Sequence, residues 1–156
     1  MMFGEYFPNP GAPADVVSVS LPLAFAVEAL GTALLVGTIF MLTEGCNVGR
    51  PSSEIAPILI GLTVTVIIGV LAPLTQAGLN PARDFGPRLV AFLAGWGSVA
   101  IPGPSGGYLT VYVLGPLVGA TFSALLFSKV LEPLMEKKTA VTCACAEDLS
   151  ILKSSS

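Results

Sequence analysis

The sequence predicts an all-α membrane protein in which three transmembrane helices carry one shorter, re-entrant half-helix. Three observations lead there. Of the 156 residues 53% are hydrophobic and only 11% are charged, against about 25% charged in an average soluble domain. The charges also leave long windows empty. None falls between Ile55 and Ala82, none between Leu89 and Ser128, and only Glu28 between Val16 and Thr43. Each window holds the roughly 20 mainly apolar residues that a helix needs to cross a bilayer. The third observation is the stretch "GLNPARDFGPRLVAFLAGWG" (Gly78–Gly97), which is apolar at both ends yet carries Arg83, Asp84 and Arg88.

The elements follow in order. The start, "MMFGEYFPNPGAPADVV", lacks the basic and apolar blocks of a signal peptide, and Pro8, Pro10 and Pro13 break any helix. Residues 1–20 therefore read as a loop-like segment. The membrane domain spans residues 21–131. Its first helix covers about residues 21–42 ("LPLAFAVEALGTALLVGTIFML"), and the polar turn "TEGCNVGRPSSE" separates it from the second, about 55–74 ("IAPILIGLTVTVIIGVLAPL"). The Gly/Pro-rich "IPGPSGGY" precedes the third, about 108–130 ("YLTVYVLGPLVGATFSALLFSKV"). Residues 132–156 form a polar tail, expected to be disordered from Thr139 on. Glycines 31, 37, 61, 69, 115 and 119 are expected where helices pack closely.

Residues 80–94 are too short to span. Their apolar part of roughly 15 residues reaches about 22 Å at helical rise, less than the ~30 Å hydrocarbon core. The segment is expected to enter and leave on one face. Charge sets the orientation: Arg50, Lys129, Lys137, Lys138 and Lys153 fall on one side, while the other side's loops lack Lys and Arg. The basic side is cytoplasmic by the positive-inside rule. The N-terminus is then outside, the C-terminus is cytoplasmic, and the half-helix dips from outside. Trp96, just past it, suits an interfacial anchor.

The charged stretch now has a physical reading. Asn80 before Pro81 is an N-cap and N1 pair: Asn satisfies an orphan N–H and Pro has none to satisfy. The half-helix begins within the membrane with its positive dipole end at mid-depth. Irregular backbone at that depth must be buried in protein or line a wet cavity, so "LTQAGLN", including Ala77, Gly78 and Leu79, is expected to run extended with carbonyls facing such a cavity. Arg83, one turn in, cannot face lipid at a cost of at least ~2.5 kcal/mol. Beside a positive helix end it repels cations and offers N–H donors to an uncharged solute.

These residues carry a resemblance. "GLNPARDFGPRL" followed by "AGWGSVAIPG" closely resembles the second signature loop of the major intrinsic proteins, and specifically of their glycerol-facilitator (aquaglyceroporin) branch. "FPNPG" (Phe7–Gly11) is similar to the end of the family's central loop, "AFAVE" to its fourth helix and "GPLVGA" to its sixth. The resemblance implies an aquaporin-like half-repeat and passive conduction of glycerol-type neutral solutes and water. It implies that Asn80, Pro81 and Ala82 form the second NPA cap, with the Asn80 amide donating to the permeant. It makes Arg83 the selectivity-filter arginine, Asp84 a mark of solute-permeable members, which Arg88 also fits, and Glu28 an acceptor for the loop's backbone.

The chain also departs from that pattern. Only the second of two inverted repeats is present. Ala77 stands where glycerol facilitators tend to have an aromatic residue, Ile68 (with Gly69 adjacent) where they have a small one, and Tyr112–Val113 where they often have Pro-Leu. Ala77, Ile68 and Tyr112 are thus expected to set the pore width. A lone re-entrant loop lacks the repeat that would cover it. The expectation is a partner chain carrying the first repeat or a longer gene product, which a start in mid-loop also suggests, alongside homo-oligomerisation as in the family tetramer. An antiparallel homodimer runs against the charge bias.

Plainer readings stand beside these. Arg83 either lines the pore, as its position favours, or pins loop carbonyls. Asp84 either acts in selectivity or pairs with Arg88 four residues on. Glu28 either holds the loop or packs between helices. A net charge of −3 gives no sign of a nucleic-acid partner, and none is expected. Cys46, Cys143 and Cys145, with no His in the chain, make no metal-ligand set; Cys143 and Cys145 suit tail palmitoylation. No cofactor is expected. Without His, an activated nucleophile or paired carboxylates, no enzyme is expected either.

Overall fold

The computed structural model describes residue 7 and residues 19–103 and 107–140. Cys143 and Cys145 lie outside them, as does most of the first segment. The described residues form helices and connecting loops. Three helices are long and apolar enough to cross a membrane: α1 (Leu21–Thr43), α2 (Ala56–Thr75) and α4 (Leu109–Ala140). Between the last two lies the short α3 (Pro81–Ala91).

Helix α1 starts where the Ser20 hydroxyl accepts from the Leu23 N–H at 3.4 Å, and its 23 residues reach about 34 Å. It stands between α2 and α4. Two glycines on α4 permit the closer crossing. A Cβ on Gly119 would fall on the Ala29 carbonyl oxygen, and one on Gly115 would lie 3.3 Å from that of Phe25. At Gly119 only hydrogen fits, so the two backbones touch there, as small-xxx-small spacing allows in membranes, and at Gly115 the fit is tight. Gly31 faces the side-chain ends of Leu71 and Leu79, and Gly37 faces the Ser123 hydroxyl. Gly61 and Gly69, also expected at helix contacts, meet nothing within 4 Å. The reason is that α2 buries only one side, around Ile67, and leaves Ile58, Leu62, Val66 and Val70 exposed.

Helix α4 is wider than an α-helix in two places. The turns at Leu109–Leu114 and Phe127–Leu131 are π-wound, and the Gly115 N–H reaches five residues back to the Thr110 carbonyl. A proline stands two residues beyond each stretch, Pro116 and Pro133. Proline lacks the N–H for the carbonyl four residues back and its ring collides with it; a wider turn relieves both. The helix also continues past residue 130, about where the sequence reading ended it, to Ala140. Glu132, Leu134, Met135, Glu136, Lys137 and Lys138 are good helix formers. The Thr139 hydroxyl ties this end to the Cys46 carbonyl at 2.7 Å.

Candidate functional site

The site begins where α2 stops. Gln76 is left-handed (φ 64°), and its N–H returns to the Ala72 carbonyl, the cap that commonly ends helices. Ala77 (φ 54°) and Leu79 (φ 56°) are left-handed too. This corrects the expectation of an extended run: left-handed turns let neighbouring N–H groups converge on one anion instead of alternating sides. Each such non-glycine residue costs about 1 kcal/mol or more, so the loop has to be held.

Glu28 is what the N–H groups converge on. Its fully buried carboxylate accepts from the Gly78 N–H at 3.0 Å and the Leu79 N–H at 2.6 Å. It also accepts from the Thr75 hydroxyl at 2.6 Å. On the next turn of α1 the Thr32 hydroxyl donates to the Leu79 carbonyl at 3.0 Å. Thr32 and Thr75 went unremarked in the sequence; a buried hydroxyl in an otherwise apolar span was the available signal.

Helix α3 opens with Asn80, whose Oδ1 accepts from the Ala82 N–H at 2.9 Å. A backbone N–H only donates, so this contact identifies the oxygen and leaves the amide nitrogen turned outward. Asn80 is exposed, Pro81 half-buried, and Ala82 and Arg83 exposed. Arg83 donates through Nη1 to the Ala77 carbonyl at 2.8 Å and the Gly78 carbonyl at 3.2 Å. The loop peptides are thus polarised: N–H groups of Gly78 and Leu79 point to Glu28, and carbonyls of Ala77 and Gly78 point to Arg83. The side chains of Ala77 and Leu79 are buried, with Ile68 half-buried against them. These loop residues, Gly78 included, are buried as a whole, and the exposed groups beside them are Asn80 and Arg83.

Two placements correct the sequence reading. Asp84, expected among the pore residues, has no exposed surface and accepts from Arg88 Nε at 2.7 Å. Arg88 is buried as well, donates to the Ala100 carbonyl at 3.1 Å, and stands 5.5 Å and 5.7 Å from the ring centres of Tyr108 and Tyr112. The helix turns these two side chains away from the exposed Arg83 and into the packing against α4, so direct contact between Asp84 and a passing solute does not fit. Tyr112, expected to set the pore width, is 1% exposed. It lies behind the loop, its hydroxyl on the Thr75 carbonyl at 2.8 Å, because it is on the α4 turn that faces Gly78. Among the described residues no group of three or more His, Cys, Asp or Glu side chains stands close enough to hold a metal ion.

Comparison with known proteins gives three kinds of match. A family model described as major intrinsic protein covers residues 11–127. The glycerol uptake facilitator protein of Escherichia coli strain K12 is 44% identical over 126 residues, which are 80% of this chain and 42% of that protein. The propanediol uptake facilitator of Citrobacter freundii is 42% identical over 111 residues, 70% of this chain and 41% of that one. The chain therefore spans about two-fifths of the length of these curated relatives. Among solved structures, the aquaglyceroporin from Plasmodium falciparum superposes with a TM-score of 0.70 over 86% of this chain and 51% of that one, at 23% identity. That likeness is one of fold.

Proposed function

The chain belongs to the major intrinsic protein family, and on that premise we propose that it forms part of a passive channel for small neutral solutes of the glycerol type, with water passing too. The observation that carries this reading is the pairing of the outward Asn80 amide with the exposed Arg83 at the start of α3. Donors from both flank the positive end of a helix, a combination that attracts hydroxyl oxygens and repels cations and protons. The glycerol and propanediol facilitators to which the chain is similar support the same solute class.

Solute moves down its own gradient. It exchanges water for the Asn80 amide and the Arg83 guanidinium, and no covalent chemistry is involved. Charge on Arg83 makes entry of a cation unfavourable without obstructing a polyol. The orientation that suits the basic loops puts the N-terminus outside and the C-terminal end of α4 in the cytoplasm.

A second reading has its own support. The bare side of α2, from Ile58 to Val70, and the outer side of α3, with Phe85, Leu89 and Val90, are large apolar surfaces left uncovered by the described residues. They suit either lipid or further protein. In this reading the chain conducts only after covering those surfaces with other copies or with a chain carrying the other repeat.

The test is a permeant panel in proteoliposomes holding the purified chain. Glycerol and 1,2-propanediol should enter faster than into protein-free vesicles, while potassium and protons should not. Entry of potassium alongside glycerol would reject the neutral-solute reading. Background entry of every probe from inserted, folded protein would favour the second reading.

A further inference from the structure

We propose that Tyr112 is the positioning residue that fixes the height of the Ala77–Gly78 carbonyls, and through the Arg83 guanidinium that they hold sets which solute sizes pass. The proposal rests on the channel reading above and goes beyond it.

Tyr112 joins two polar clusters that otherwise do not touch among the contacts described above. Its hydroxyl donates to the Thr75 carbonyl at 2.8 Å, one of the carbonyls a helix end leaves without an intrahelical partner. The Thr75 hydroxyl in turn donates to Glu28 at 2.6 Å. The last residue of α2 is therefore gripped from α1 on one side and from α4 on the other. On the ring's other flank, Arg88 approaches to 5.7 Å and carries Asp84 with it. One side chain thus links the loop's anchor to the half-helix's anchor.

The ring also sets the loop's position by contact. A Cβ on Gly78 would lie 2.8 Å from Tyr112 Cδ1. Gly78 is not among the residues of positive φ, so space for this ring, and not backbone freedom, is why it is glycine. Phe7 leans on Tyr112 at 6.3 Å between ring centres, and Ala24 and Val111 complete its pocket. The ring has nowhere to retreat. The Gly78 peptide rests on it, and that peptide's carbonyl is one of the two that receive Arg83. A smaller side chain at position 112 would open room behind the loop and let the carbonyls, and the exposed Arg83 bound to them, withdraw.

The experiment compares the full chain with Tyr112→Leu, Tyr112→Phe, Gly78→Ala and the Gly78→Ala/Tyr112→Leu double variant in proteoliposomes, with glycerol and the larger erythritol as probes. Tyr112→Leu should raise the erythritol-to-glycerol ratio by about tenfold or more, the scale of a one-methylene change in a fitted pocket. Gly78→Ala alone should cut glycerol flux by about fivefold or more, and the double variant should recover most of it, because the two positions share one contact. A filler role would move both fluxes together; an unchanged ratio in Tyr112→Leu, or no recovery in the double variant, overturns the proposal. Where Tyr112→Leu does not fold, Tyr112→Phe must still shift the ratio, since the Thr75 carbonyl loses its donor. If the unsubstituted chain conducts nothing, the channel reading fails separately, and alkylation of an Ala82→Cys reporter decides. Its rate, measured against the parent chain with Cys46 alone, should rise with Tyr112→Leu and stay unchanged if Tyr112 positions nothing.

Discussion

The Thr32 hydroxyl donates to the Leu79 carbonyl at 3.0 Å, and Thr32 stands eleven residues from each end of α1 (Leu21–Thr43). This one contact places the loop at mid-length of a helix that crosses the membrane. Asn80 follows Leu79, so α3 starts there too. With 11 residues it reaches about 16 Å, half of the hydrocarbon thickness. Backbone left open at such depth is stable only against protein or water, and Glu28, Thr32, Thr75 and Tyr112 supply the protein side.

Replacing Glu28 tests the anchor. Glu28→Gln puts an amide nitrogen against one of three donors, the Thr75 hydroxyl and the Gly78 and Leu79 N–H groups. A buried donor left without an acceptor costs about 1–3 kcal/mol, and the left-handed residues it held add their own strain. Thermal unfolding in detergent should fall by several degrees, while Thr38→Val, which removes only a bond to its own helix, should change little.

The Asp84–Arg88 pair should behave as a buried unit. Breaking it from one side, with Asp84→Asn or Arg88→Leu, strands a polar or charged group and should cost about 3–5 kcal/mol. Replacing both by apolar residues of similar size should cost much less than the sum of the two. Unfolding midpoints of the two single variants and the double variant, compared as a cycle, check this. Additive losses would contradict it.

How much of this was legible differs by range. The Asn80–Pro81 cap, the short half-helix and the exposed Arg83 depend on neighbours within a turn or two, and the order of residues suffices for them. Asp84 and Arg88 were visible as a pair but not as a buried one, since their burial depends on the Ala100 carbonyl of the following loop and on Tyr108 and Tyr112 at the start of α4. Tyr112 was misplaced for the same reason. Its partners Thr75 and Gly78 are more than 30 residues away, and a helix pattern does not say which side meets a distant loop. The left-handed turns at Gln76, Ala77 and Leu79 were unreadable, because none of these residues favours such a conformation without Glu28 to reward it.

Two glycines separate packing within the chain from packing beyond it. Gly119→Ala would press a methyl onto the Ala29 carbonyl; overpacking of this kind costs about 1–3 kcal/mol or more, and α1 and α4 should part. Folded yield and unfolding midpoint should both drop. Gly61→Ala meets open space and should leave the single chain unharmed, or steadier by about 0.5–1 kcal/mol. A loss of assembly in Gly61→Ala, seen by size-exclusion chromatography with light scattering, would mean that a partner covers this side of α2.

The most direct test concerns Arg83. Glycerol entry into proteoliposomes containing the chain should be measured by stopped-flow light scattering beside an Arg83→Ala variant of matched insertion and beside empty vesicles. The account predicts entry above the empty-vesicle rate, with the rate and the exclusion of potassium both altered in Arg83→Ala. Glycerol entry that proceeds through the chain equally well without Arg83, cations still excluded, would contradict it.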